Sequence, residues 1–306
     1  MLFHGLSAFP ITPMDADGYV QVDALCTFLE RIHAAGAASV GLLGSTGGYA
    51  YLTRSERLLV VEAAVGCIGG KTPIFVGVGA LRTDEAVALA RDAEEAGADG
   101  LLLAPMSYTP LTETEVNRHV RAVAEATGLP LCLYNNPGTT RFTFSDGLIA
   151  ELAQVPGIVA VKMPLPADGD FAGEIGRLRS RIPADFAIGY SGDWGAAHAL
   201  LAGSDAWFSV VAGLLPEPAL RLTRAAQAGD AAETKRIDAA FAPLWSLFKE
   251  FGSFRVMYAL ADALSLGRFE PPRPGLPVGP EALARLHEAL DQIEALPPLA
   301  SIEGAS

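Results

Sequence analysis

GIVAVK, residues 157–162, is an apolar run bounded by Pro156 and Pro164 that closes on a lysine. Gly, Ile, Val and Ala without polar alternation read as a strand buried on both faces, the kind found in parallel sheets with helices outside. A charge at the end of such a strand is costly, so Lys162 needs a reason. The chain holds four lysines, Lys71, Lys162, Lys235 and Lys249, against eighteen arginines, so the general need for surface cations is met by arginine. An amine has a use that a guanidinium lacks. In a desolvated pocket it gives up its proton more readily and can attack a carbonyl to form a Schiff base. The plainer reading is a strand-end lysine reaching for solvent.

Outward from this run the same strand type recurs. Strands are expected at 3–11, 38–43, 73–77, 99–103 and 130–134 before it, and at 185–189 and 205–210 after it. Between them lie helical stretches: one capped by Asp23 that runs through Ala35 and stops at Gly36, then 54–68, 83–96, 112–127, 145–154, 170–180 and 193–202. Short apolar strands alternating with helices predict an α/β fold of the (β/α)8 TIM-barrel kind. The alternative, a doubly wound open sheet, is weakened because GVGALR at 77–82 lacks the third glycine of a dinucleotide turn. Residues 1–216 are expected to form the barrel and carry the active site. Residues 217–306 are expected to add C-terminal helices packed on it, interrupted by FEPPRPGLPVGP, which could carry an oligomer interface.

Composition narrows the function classes. Half of the 306 residues are hydrophobic, enough for a large core, and the net charge of −13 opposes nucleic-acid or anionic-membrane partners. No apolar stretch reaches membrane-spanning length and the N-terminus lacks a secretory pattern. Cys26, Cys67 and Cys132 are widely spaced, with no CxxC pair, and are expected to be reduced core thiols of a cytoplasmic protein.

Barrel active sites gather at the C-terminal ends of the strands. There GSTGG (44–48) offers the Ser45 and Thr46 hydroxyls for a small anion such as a carboxylate, the plain alternative being an ordinary glycine turn. No GK[ST] follows to hold a nucleotide triphosphate. Tyr134 ends the fifth strand at the same depth as Lys162 ends the sixth, and a phenol beside an amine suits proton transfer; as a packing residue it would simply fill the barrel top. Gly192 and Phe208, at the ends of the seventh and eighth strands, are expected to bind substrate, and Arg141 is the nearby cation in the loop after Tyr134. GYSGD lacks the last glycine of a nucleophile elbow, and the five histidines form no HxH or HExxH pair, so neither a serine hydrolase nor a metal site is expected.

Together, GSTGG, YNNP (134–137), VAVK (159–162) and SGD (191–193), in this order and spacing, resemble the dihydrodipicolinate synthase and N-acetylneuraminate lyase family. The resemblance runs from the first strand to about residue 216. It implies that Lys162 forms an imine with pyruvate and that Tyr134 shuttles protons. It further implies that Ser45 and Thr46 join the relay and bind the pyruvate carboxylate, and that the chain is a homotetramer, a dimer of dimers. There are departures. Gly48 stands where the family usually has Glu; Thr139 aligns with the arginine that binds the second substrate's carboxylate; Met106 and Ser107 align with paired tyrosines, leaving Tyr108 one place late. Met163 and Pro164 match neither branch.

The expected activity is that of a class I lyase or aldolase, free of metal and cofactor, acting on pyruvate or a related 2-oxo acid and an aldehyde. The runner-up is 4-hydroxy-tetrahydrodipicolinate synthase of lysine biosynthesis. A non-catalytic 2-oxo-acid sensor is the rival from another class.

Overall fold

A computed structural model of the chain describes residues 2–296. The first strand, β1 (Gly5–Ala8), is followed by α1 (Val22–Ala35), whose N-cap is Gln21 rather than the expected Asp23. Asp23 sits instead in the first turn, where its charge meets the positive end of the helix. The helix stops at Gly36, whose φ of 83° only glycine adopts freely. Next come β2 (Ser39–Leu42) and α2 (Arg54–Ile68), the latter started by a capping box between Thr53 and Glu56. The pattern repeats through β3 (Ile74–Gly77), α3 (Thr83–Glu95), β4 (Gly100–Leu103), α4 (Glu113–Ala124) and β5 (Leu131–Tyr134). After β5 the chain makes an unexpected single turn, α5 (Pro137–Thr140), before α6 (Asp146–Leu152).

The deciding run forms β6 (Ile158–Met163), one residue later than expected. Gly157, at φ 88°, belongs to the turn before it, and Met163 still pairs with Tyr190. Then follow α7 (Phe171–Arg179), β7 (Ala187–Tyr190), α8 (Ala196–Leu201), β8 (Ala206–Ser209) and α9 (Pro216–Gln227). All neighbouring strands are parallel, and β1 pairs with both β2 and β8, so the sheet closes into the predicted barrel rather than an open sheet.

Aromatic rings fill the barrel. Phe9, Phe75 and Phe208 meet edge to face at 5.5–6.1 Å between centroids, within the range such pairs prefer. Ala160, Ala187 and Ala206 supply the small positions that let them interlock. Gly41 does the same for Phe9, since a Cβ there would collide with its ring.

Three helices extend the chain: α10 (Ala231–Phe251), α11 (Ser253–Ala263) and α12 (Pro280–Glu294). α10 packs on α8 and α9, and the Tyr258 hydroxyl of α11 donates to the Thr12 carbonyl at 3.0 Å, tying the extension to the loop after β1. Residues 297–306 of the expected extension lie outside the described residues.

Cys26 and Cys67 are not the reduced thiols expected. α1 and α2 lie side by side, which brings Cys26 and Cys67 to a Cα separation of 5.9 Å with their sulfurs bonded. Only Cys132 is a free, buried thiol. Among the described residues no helix is long and apolar enough to cross a membrane.

Candidate active site

Adjacent parallel strands fix the first pair of functional side chains. Tyr134 and Lys162 are register partners on β5 and β6, so both point into the barrel at one depth. Lys162 is 3% exposed. Its Nζ lies 3.7 Å from the Phe9 ring centroid, 4.3 Å from that of Tyr134 and 5.6 Å from that of Phe208. This aromatic collar strips water from the amine, and burial lowers its pKa to about 7. The electron-rich ring faces partly offset that loss of hydration.

The turn after β2 brings Ser45 and Thr46 to the same place. It is held by the Thr12 hydroxyl, which donates to the Gly47 carbonyl at 2.7 Å. Ser45 Oγ lies 3.4 Å from the Tyr134 hydroxyl. Burial raises the Tyr134 pKa, with the Ser45 hydrogen bond opposing it, so the phenol keeps its proton near neutrality.

Asn136 was not anticipated from the sequence. In YNNP the side chains alternate in task. Asn135 is buried and accepts the Phe144 N–H through Oδ1 at 3.2 Å, which anchors the loop. Asn136 Nδ2 donates to both the Tyr134 hydroxyl, at 3.0 Å, and Ser45 Oγ, at 3.1 Å. With both oxygens accepting from one amide, one hydroxyl proton can run along the Ser45–Tyr134 contact while the other is left for a bound molecule. The only signal in the sequence was a polar residue between Asn135 and Pro137.

Asp193, from the SGD motif, is a second buried charge. Its carboxylate accepts from Trp207 Nε1 at 3.0 Å, Val210 N at 3.2 Å and Val211 N at 2.7 Å, pinning the turn after β7 to the loop after β8. Burial raises its pKa to about 6, against the pull of these donors.

These groups line a cavity of about 440 Å³ that also takes in Phe9, Thr46, Pro164, Leu165, Ser191, Gly192, Trp194, Val210, Phe248 and Ser253. Phe248 and Ser253 come from the C-terminal extension, which therefore shapes the site. The expected residues Lys162, Tyr134, Ser45, Thr46 and Gly192 converge on this cavity. Phe208 does not line it: fully buried, it lies among the barrel rings behind Lys162. Arg141 does not line it either; it is exposed, caps α5 in the left-handed region at φ 57°, and stands outside the cavity wall. Among the described residues no cluster of three or more His, Cys, Asp or Glu is placed to hold a metal.

The sequence pattern that defines the dihydrodipicolinate synthetase family matches residues 2–293. The chain belongs to this family. A dihydrodipicolinate synthase of Agrobacterium tumefaciens superimposes with a TM-score of 0.94 at 62% identity, over 95% of this chain and 98% of that one. A 4-hydroxy-tetrahydrodipicolinate synthase of Nitrosomonas eutropha is 34% identical over 265 residues, 85% of this chain and 88% of its own. The chloride-inhibited dihydrodipicolinate synthase of Acinetobacter baumannii, solved in complex with pyruvate, is 28% identical with a TM-score of 0.85, over 95% and 99% of the two chains. As a member of the dihydrodipicolinate synthetase family the chain is a lyase of the class I aldolase type.

Proposed function

We propose that this lyase makes or breaks a carbon–carbon bond next to the carbonyl of pyruvate, or of a similar 2-oxo acid, through an imine on Lys162. The observation that carries the proposal is the amine itself, buried in an aromatic collar at the cavity floor with its pKa near 7. The pyruvate-bound Acinetobacter baumannii relative supports the choice of 2-oxo acid.

In this reading the neutral amine attacks C2 of pyruvate, and the carbinolamine loses water to give the imine. Loss of a C3 proton gives an enamine, whose carbon attacks the aldehyde carbonyl; hydrolysis then frees the product and the amine. Cleavage runs the same steps backwards. Tyr134 carries the protons, with Ser45 in hydrogen-bond contact and Asn136 holding both hydroxyls. Thr46 and Ser45 bind the pyruvate carboxylate, and Gly192 lets the chain pass close to the substrate. The imine activates the carbonyl, so the chemistry needs no cofactor.

A second reading, 4-hydroxy-tetrahydrodipicolinate synthase activity, is favoured by the names of the relatives. Against it stands Thr139, which offers no cation to a second carboxylate.

We also propose a cytoplasmic homotetramer. The tetramer is supported by apolar side chains on two neighbouring loops, Leu81 after β3 and Tyr108 after β4, 61% and 87% exposed. The cytoplasmic placement rests on the substrate alone, because the Cys26–Cys67 pairing removes the argument from reduced thiols. The barrel and the 217–306 extension then act as one catalytic unit, since Phe248 and Ser253 complete the cavity.

The test is exchange of the pyruvate methyl protons in D₂O, followed by NMR. Wild-type protein should wash deuterium into the methyl group, and Lys162→Ala should not. Equal exchange by both proteins would remove the imine from the proposal.

A further inference from the structure

Part of the cavity lining is apolar: Pro164, Leu165, Trp194, Val210 and Phe248 line it, in company with the Ser191 and Ser253 hydroxyls. The apolar wall is built into the backbone. Leu165 sits on two glycines of the turn after β7: a Cβ at Gly192 would come within 2.9 Å of its Cγ, and one at Gly195 within 2.6 Å of its Cδ2. The Trp194 ring has Lys249 Nζ above it, 5.8 Å from the centroid, and is 36% exposed.

The charges are as telling. Among the residues that line the cavity only Lys162 and Asp193 are ionisable under ordinary conditions. Lys162 is used up once an imine forms. Asp193 is an acceptor already satisfied by three N–H donors, and it would repel an anion rather than hold one. Arg141 and Lys249 are exposed and do not line the wall. A carboxylate on the second substrate would be desolvated without a counter-charge, which is unfavourable, whereas a ring-sized apolar group would meet Trp194, Leu165 and Phe248.

We infer that the second substrate is an uncharged aldehyde with an apolar, ring-sized body, seated against Trp194, Leu165 and Phe248. The inference rests on the imine chemistry proposed above. In the condensation the enamine carbon of bound pyruvate bonds to the aldehyde carbon, and the aldehyde oxygen takes a proton to become a hydroxyl. No oxidant or reductant is needed.

The experiment measures condensation of pyruvate with benzaldehyde, isobutyraldehyde, glyoxylate and aspartate semialdehyde, with pyruvate methyl exchange run in parallel. Benzaldehyde is expected to exceed both carboxylated aldehydes in kcat/KM by about 10²-fold. Trp194→Ala should raise KM for benzaldehyde about tenfold, and Trp194→Phe should restore most of the affinity. A carboxylated aldehyde turned over as well as benzaldehyde overturns the inference. So does the failure of every uncharged aldehyde while methyl exchange continues; in both cases the imine chemistry stands. Loss of methyl exchange itself takes down the imine proposal and this inference with it. If Lys249→Ala or Arg141→Ala selectively abolishes turnover of a carboxylated aldehyde, a rim cation reaches the cavity after all and the inference fails.

Discussion

An amine 3.7 Å from one aromatic centroid and 4.3 Å from another has lost the water that keeps an ammonium charged. With its pKa lowered from 10.5 to about 7, Lys162 is charged and unreactive at low pH and becomes a nucleophile as pH rises through about 7. The rate of imine formation with pyruvate should therefore rise with a midpoint near 7, read by stopped-flow absorbance or quenched reduction. A midpoint near the ordinary lysine value would mean a solvated amine. Asn136 gives a second prediction at this scale. Asn136→Leu keeps a similar volume but frees both hydroxyls, so turnover should fall by roughly 10- to 100-fold while the pyruvate Kd changes little. Tyr134→Phe should cost more, roughly 10² to 10⁴, since it removes the hydroxyl proposed to carry the proton. The position of Lys162 and Tyr134 at the cavity was legible in the sequence because each lies at the end of an apolar strand, where a polar group stands out. Asn136 was not, because its meaning depends on Ser45, 91 residues away, lying within 3.1 Å. Phe208 was expected to bind substrate, and its ring packs beside Lys162 among the barrel rings rather than lining the cavity, because being at a strand end does not say whether a ring faces the cavity or the barrel interior.

At the scale of elements, the strands were readable and the connections were less so. Apolar runs that cannot face water had to be the barrel staves, and their ends fell within a few residues of the observed ones. The single turn α5 was hidden because YNNPGTTR has the composition of a loop; its helical turn is held by the Thr140 hydroxyl, which donates to the Asn136 carbonyl at 2.9 Å. The wall contributed by α10 and α11 was hidden too, since nothing local in Phe248 or Ser253 points to a cavity formed by β-strand ends. The cysteines carry the clearest correction. Cys26 and Cys67 have no motif spacing, yet α1 and α2 pack side by side and bring them together. Denatured, unreduced protein should show one free thiol, Cys132, and three after reduction. The double change Cys26→Ser, Cys67→Ser should lower stability by about 2–4 kcal/mol in a denaturant titration, as expected for a crosslink that closes a loop of this size. Three free thiols without reductant would mean that the two cysteines are not paired.

For the whole molecule, eight strand–helix alternations were enough to indicate the barrel, and the resemblance carried by GSTGG, YNNP, VAVK and SGD was enough to indicate the family. The homotetramer came from the resemblance alone and not from the residues, because oligomeric state depends on surfaces rather than on the core. With Leu81 and Tyr108 exposed on neighbouring loops, sedimentation velocity should show a single species at four times the 31.9 kDa chain mass, and Leu81→Asp with Tyr108→Asp should shift it to smaller species. The central claim, an imine between a 2-oxo acid and one buried lysine, is tested most directly by borohydride reduction in the presence of pyruvate, followed by intact-mass and peptide mass spectrometry. The expected result is one pyruvate-derived unit per chain, located on Lys162 and absent from Lys162→Ala. Labelling at Lys71, Lys235 or Lys249 instead, or no labelling of the wild-type chain, would contradict it.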